Sequence, residues 1–331
     1  MTLITPNPSV DLLSEALGSL GYTCERLQLG VGRNSYTRYI SPSGKAWVTR
    51  NAYIGYPFTN STITSISSRK DLAYEFCATY GIRVPRTIEF RADYSDEMIH
   101  NALLGGPLVV KPHNSSLSRG LSLNVTDGDS LRQALDVAFE FSLVALVQEQ
   151  IKGEEIRFVL VGGNVKAAIL RESPRLTGDG RHSLRELLED ENDDRAKLDM
   201  PYITYPQLQP ELIVKAGRNP DDIPGEGEAV SLGKGTMIRD GASMYNVLPD
   251  VHSSYLEIVS KLNDALGAQF LVVDMMLEDY RAPQTATNYA FIEFNTAPVL
   301  KLFYSCRDSK HYDVLSDLVP VIDRTVRGGE A

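Results

Sequence analysis

Residues 269–301 read QFLVVDMMLEDYRAPQTATNYAFIEFNTAPVLK. Two apolar runs rich in Val, Ile, Phe and Tyr flank a polar segment holding Pro283, the pattern of two strands joined by a loop. The first run carries one acid, Asp274; the second carries Glu293 and Asn295. Side chains two residues apart on a strand point to the same side, so Glu293 and Asn295 share a face. Pairing of the two strands lets Asp274 join them. A cluster of oxygen ligands without His or Cys suits Mg²⁺, a hard ion that keeps waters and substrate phosphates as its other ligands; Mn²⁺ takes similar donors. Taken alone, an acid in an apolar strand is equally a satisfied core residue.

Upstream, residues 107–125 read PLVVKPHNSSLSRGLSLNV, a strand, a loop and a second strand. Lys111 closes the apolar run, and the loop holds Ser115, Ser116, Ser118 and Gly120. A lysine at a strand end beside such a loop can serve phosphates: the ammonium neutralises charge and loop N–H groups donate hydrogen bonds. An ordinary hairpin with a polar loop is the bland alternative. The spacing of a P-loop is absent.

Elsewhere the chain reads as a succession of short elements. Helical spacing covers 11–20, with Gly21 as a stop, and strand-like runs cover 25–29, 36–40 and 46–49. The polar stretch 59–68 reads as a connection. A helix over 68–80 takes Ser68 as N-cap and carries Lys70 in its first turn, where a solvated surface lysine is the ordinary outcome. IRVP at 82–85 reads as a short strand. An amphipathic helix spans 129–141, a strand 143–149, and a hairpin turns at 162–164. In that hairpin Glu155 and Arg157 share a face, where a weak surface ion pair is the bland reading, and Arg171 lies near the end of the next strand. Ser183 caps a helix over 184–188. Residues 190–230 are polar with short helical pieces such as 205–216. A strand follows at 227–232, a loop at 234–247, and helices at 255–266 and 312–326.

The chain has 331 residues, enough for two or three subdomains, with ordinary soluble composition: 43% hydrophobic and 23% charged. A net charge of -10 argues against a nucleic-acid partner, which demands a basic face, while leaving room for a nucleotide in a local basic pocket. The three cysteines are few and far apart, which fits a reducing cytoplasm. No secretory signal and no apolar run long enough to span a membrane stand out. The five histidines show no ligand spacing.

Taken together, these stretches resemble the ATP-grasp superfamily of carboxylate–amine ligases. They are similar to the ATP-grasp module of cyanophycin synthetase and of bifunctional glutathione synthetases. GNVKAAILRESPRLTGDGRHSLRELLEDEN (163–192) is similar to that subfamily's strand, Gly-Asp-Gly turn and helix. SSRKDLAYEFCATYGIRVPR (67–86) is similar to the helix bearing the first phosphate lysine. VVKPHNSSLSRGLSL matches the second lysine and its loop, and VQEQIKGEEIRF (147–158) the adenine hinge.

The resemblance implies an α+β architecture, the ATP-grasp fold. Two α+β subdomains, a lid at 69–147 and a metal-bearing part at 148–331, would clasp ATP, behind a small N-terminal α/β unit at 1–68. Lys70, Lys111, Ser116, Ser118 and Gly120 would meet phosphates. Gln148, Glu149 and Ile151 would lie against adenine, partly through backbone, and Glu155 would bind ribose. Asp274, Glu293 and Asn295 would hold Mg²⁺. Lys111, Arg157 and Arg171 would act on the transferring phosphoryl group or the acid.

The implied activity is ATP-dependent amide-bond formation between an amino acid or small acid and an amine, through an acyl phosphate. The competing class is a nucleotide- or partner-binding protein with a degenerate substrate site; a third reading is an acyl-phosphate-forming kinase. Departures cluster on the substrate side, apart from Gln148 on the adenine side. Gln148 stands where the family has an acid, and Gly233 and Met237 where relatives carry Arg and Asn. Gly241-Ala242 replaces a Gly-Gly pair, and Pro298-Val299 replaces Pro-Gly. The expected acid and amine therefore differ from those of the named relatives. The short first unit suggests a homodimer in which a second subunit completes the pocket.

Overall fold

The computed structural model describes residues 8–29, 35–51, 54–114, 119–198, 205–307 and 311–328. Helix α1 (Pro8–Gly18) leads into strands β1 (Thr23–Gln28), β2 (Ser35–Ile40) and β3 (Ala46–Arg50), then helices α2 (Ser61–Ser67) and α3 (Lys70–Thr79). There follow β4 (Thr87–Phe90), α4 (Asp96–Leu103), β5 (Leu108–Pro112), β6 (Ser122–Val125), α5 (Gly128–Phe139) and β7 (Ala145–Glu149). Next come β8 (Glu154–Val161), β9 (Asn164–Glu172), β10 (Arg175–Thr177), α6 (Leu184–Lys197), α7 (Glu211–Lys215), β11 (Ala229–Ser231) and β12 (Ser243–Asn246). The last are α8 (Ser253–Leu266), β13 (Phe270–Leu277), β14 (Tyr289–Asn295) and α9 (Val314–Arg327).

The chain divides into two compact units, each assembled from separate segments. One comprises Met1–Phe58, Glu155–Asp250 and Ala297–Ala331; the other comprises Thr59–Glu154 and Val251–Thr296.

In the second unit, β4, β7, β5 and β6 form an antiparallel sheet in that order. Helix α5 covers one face of it. Asp127 caps α5 through a reciprocal box with Ser130, and the helix turns Leu131, Ala134, Leu135 and Ala138 inward. They pack with Phe90, Leu108, Val110, Val125 and Val147, all buried. Full burial of each Val, Leu or Phe side chain here contributes about 2 kcal/mol. The alternation on β5 buries Leu108, Val110 and Pro112 and leaves Val109 and Lys111 half-buried on the other face. The same unit holds the β13–β14 hairpin, against which α2 and α3 pack. Helix α8 stops at Gly267, whose left-handed φ of 60° closes the helix end.

In the first unit, β1, β2 and β3 form an antiparallel sheet. The β8–β9 hairpin turns at Gly162 and Gly163, and β12 adds to β9. Helix α6 closes a smaller core of Leu176, Leu184, Leu188, Leu208, Ile213, Val230 and Leu232.

Several local expectations change. Within 59–68, Ser61–Ser67 form helix α2, because Asn60 accepts from Thr62 N (2.9 Å) and Ile63 N, and Ile63 is buried. Ser68 therefore ends α2 instead of capping α3, whose N-cap Arg69 makes no side-chain cap bond. The strand lies at 87–90, beyond Pro85, not at 82–85. The helix over 184–188 continues to Lys197, while helix in 205–216 is confined to α7. The loop at 234–247 contains β12, paired with β9.

Candidate active site

The β13–β14 register sets Asp274 directly opposite Glu293 and Val272 opposite Asn295. Cross-strand partners project to one face, so Asp274, Glu293 and Asn295 lie together. The register then slips: Asp274 pairs with Glu293, but Met275 pairs with Phe291, leaving Ile292 as an extra residue. This bulge reverses the alternation. Phe291 goes to the Met275 face and is buried, while Glu293, two residues on, stays with Asp274. Strict alternation would have put that ring among the carboxylates.

Two facing carboxylates repel, and Asp274 is only 2% exposed. Asn295 Nδ2 donates to Glu293 Oε1 at 3.3 Å, and Lys70 Nζ stands 4.0 Å from Glu293 Oε2. An all-oxygen set of two acids and an amide fits a hard cation. Among the described residues no group of three or more His, Cys, Asp or Glu is arranged for a metal. An ion here would take only part of its shell from the protein, which suits Mg²⁺ with phosphates.

The two lysines come from different elements and meet around Tyr74. Lys70 opens α3; Tyr74 lies one turn further on the same side. Lys111 Nζ donates to Tyr74 Oη at 3.1 Å and lies 5.7 Å from the ring centre. Tyr74 packs edge-on against Phe291 at 6.0 Å. Burial pushes the Lys70 ammonium below its ordinary range; Glu293 opposes that shift and Lys111 adds to it. A polyanion would relieve the repulsion between the lysines.

The hinge side chains are engaged within the protein. Glu149 Oε1 accepts from Arg83 Nη2 and Arg86 N, both at 2.9 Å. Gln148 is buried and donates to Thr87 Oγ1 at 2.7 Å. A purine at this stretch would meet backbone and the half-buried Ile151. Gly120 has φ 73°, and a Cβ there would lie 2.7 Å from Pro112 and 2.8 Å from Phe141, so the loop exit needs glycine. Ser115, Ser116 and Ser118 lie outside the described residues.

In the other unit, Glu155 and Arg171 are cross-strand partners, with Nη1 and Oε1 2.6 Å apart. Thr236 Oγ1 donates to the second oxygen at 3.1 Å. The ion partner of Glu155 in this hairpin is thus Arg171, and the pair is largely buried rather than a surface bridge. Arg157 is 9% exposed, opposite Ile169. Among the described residues, the buried Nε of Arg171 has no hydrogen-bond acceptor.

Sequence reasoning missed a second polar network here. Glu191 binds Arg195 and Arg307, each at 2.7 Å. Arg195, 3% exposed, also donates to Gly241 O at 2.6 Å, and Arg307 to Ser243 Oγ at 3.1 Å. The Glu191–Arg195 spacing of four was the available signal, had α6 been carried past 188. The network holds the altered loop: Gly241 has φ 93°, and a Cβ there would lie 2.6 Å from Leu208.

No family model matches the chain. It is 27% identical over 260 residues to the glutathione biosynthesis bifunctional protein GshAB of Streptococcus thermophilus, covering 75% of this chain and 34% of that protein. It is 26% identical over 291 residues to the Streptococcus mutans protein of the same name, covering 84% of this chain and 37% of the relative. The chain thus spans about a third of the length of these curated relatives. The crystal structure of a bifunctional glutathione synthetase from Pasteurella multocida superposes with a TM-score of 0.66 at 20% identity, covering 97% of this chain and 44% of that one.

Proposed function

The chain has the mixed α+β, antiparallel-sheet ATP-grasp fold that it shares with bifunctional glutathione synthetase, and from that premise we propose that it is an ATP-dependent carboxylate–amine ligase. The observation that carries the proposal is the pairing of Asp274 with Glu293 within reach of Lys70, where two acids and a cation converge on one sheet face. Such a constellation suits a metal–triphosphate complex. ATP and Mg²⁺ are the proposed cofactors, and Mn²⁺ the proposed substitute. Bound by Asp274, Glu293 and Asn295, the cation would neutralise phosphate oxygens. Lys70 and Lys111 would hold the phosphates, and Gln148, Glu149 and Ile151 would border the purine mainly through backbone. Glu155, Arg157 and Arg171 are proposed for the ribose and acid side.

A carboxylate oxygen attacks the γ-phosphorus of ATP, the bond to the ADP oxygen breaks, and ADP leaves. An amine nitrogen then attacks the acyl carbon of the mixed anhydride, inorganic phosphate leaves with the bonding electrons, and the nitrogen gives up a proton. Both reactants of the first step are anionic, so positioning and charge neutralisation supply most of the acceleration. The proposed substrates are an amino acid or small acid and an amine, both small molecules. We also propose the division 1–68, 69–147 and 148–331, a second copy completing the acid pocket, and a reducing cytoplasmic setting, which three cysteines outside any disulfide fit. Among the described residues no helix is long and apolar enough to cross a membrane.

The test is a matrix of amino acids and small acids against amines, read as ADP release. The reading requires ADP that depends on both partners in at least one cell. ADP that needs only the acid, trapped as a hydroxamate, would mark a kinase; nucleotide binding with no turnover in any cell would mark a binding protein.

A further inference from the structure

Lys111 is not the only residue of its strand to reach α3. His113 extends the β5 ladder by one bond, its N donating to Val144 O at 3.0 Å. Its Nε2 lies 2.9 Å from Asp71 Oδ1, with each side chain about one-fifth exposed. Asp71 stands in the first turn of α3, next to Lys70, and three residues before Tyr74. Residues three apart on a helix share a side, and residues two apart on an extended strand share a side. The helix therefore meets the strand end at two matched points: Tyr74 on Lys111 and Asp71 on His113. The second oxygen of Asp71 accepts from Arg69 Nη2 at 2.5 Å, which orients the carboxylate.

We propose that Asp71 and His113 form a positioning latch that seats the lysine-bearing end of β5 on the lysine-bearing start of α3, fixing the spacing of Lys70 and Lys111 for a nucleotide's phosphates. The proposal rests on the nucleotide-binding part of the functional reading. Two ammonium groups drawn to one place repel, so the elements that carry them need a tie made elsewhere. Tyr74 supplies part of it but contacts the ammonium that must turn to phosphate. The Asp71–His113 contact engages neither lysine, so it does not compete with phosphate for them. A carboxylate accepts only, so His113 Nε2 is the donor. Burial alone would raise the Asp71 carboxyl; the hydrogen bonds from Arg69 and His113 outweigh it and bring it down to about 2, as expected for an anion held by its partners. Both are positioning residues in this proposal, acting through the lysines.

The test measures MgATP and adenosine affinity by calorimetry and competition for the wild-type chain, His113→Ala, His113→Gln, Asp71→Ala and the double alanine variant. The latch predicts that each single alanine variant loses about tenfold in MgATP affinity, with adenosine affinity unchanged. The double variant should lose no more than either single one, because one contact has been removed. Gln, whose amide can still donate to Asp71, should restore most of the loss. Equal loss for adenosine and MgATP would reduce the contact to a general structural role and overturn the latch. So would wild-type affinities in the alanine variants, which would leave the nucleotide site itself standing. A wild-type chain that binds no MgATP would sink the functional reading, and the latch with it.

Discussion

Asp274 and Glu293 face each other directly across the β13–β14 pair, and the bulge at Ile292 turns Phe291 to the opposite face. The two acids stand side by side, a repulsion that a bound cation would relieve. Glu293→Gln removes a charge without changing shape. It should lower ADP formation by about a hundredfold or more while leaving the melting temperature of metal-free protein unchanged or slightly higher. A variant that melts well below wild type would show Glu293 to be structural.

Lys111 is half-buried on the strand face away from the core, so Lys111→Ala should leave the fold intact. Its kcat/KM for ATP should fall by about two orders of magnitude. Tyr74→Phe keeps the ring against Phe291 and removes only the hydrogen bond to Lys111. Steady-state kinetics should show a smaller loss, about threefold to tenfold.

Gly153, after the hinge, has φ 121°, and a Cβ there would lie 2.0 Å from the Leu277 carbonyl oxygen. Backbone cannot move aside as a flexible side chain can. Gly153→Ala should cost about 3 kcal/mol or more, read by denaturant unfolding. Gly217→Ala is the control: it shares a positive φ of 74° but meets nothing within 4 Å, and should cost less.

Burial pushes the Cys77 thiol up to about 12, and Cys306 is 1% exposed. The thiolate is the reactive form, so at pH 8 Cys77 holds almost none. A thiol reagent should label the half-buried Cys24 of the native protein first and reach all three cysteines only after unfolding. Rapid native labelling of Cys77 would contradict the packing of α3.

Glu191 is the shared acceptor of Arg195 and Arg307. Glu191→Ala leaves the Arg195 guanidinium buried without its carboxylate and should destabilise by about 3 kcal/mol. Glu191→Leu should do no better, since the charge it abandons remains.

The hairpin was legible because its apolar runs and its acids obey a period of two over most of their length. The bulge was not, since one inserted residue leaves no mark on composition. Helix α2 hides in a Ser/Thr-rich stretch with weak intrinsic propensity; the Asn60 cap and the burial of Ile63 make it helical. The far half of α6 hides in LEDENDDRAK, where acids suggest a solvated loop, yet Arg195 turns inward to Glu191. Lys70, Lys111 and the oxygen ligands were visible as residue types at strand and helix ends. Their meeting around Tyr74 depends on contacts far apart in sequence, and so does the Asp71–His113 contact.

Transfer of the γ-phosphoryl group to a carboxylate at the Asp274–Glu293 face is measured most directly by isotope transfer. With heavy oxygen in the carboxylate of an accepted acid, the released phosphate should carry one labelled oxygen for each ADP formed, and Glu293→Gln should slow label transfer and ADP release together. Phosphate that takes its new oxygen from water, with the label left in the acid, would contradict the account.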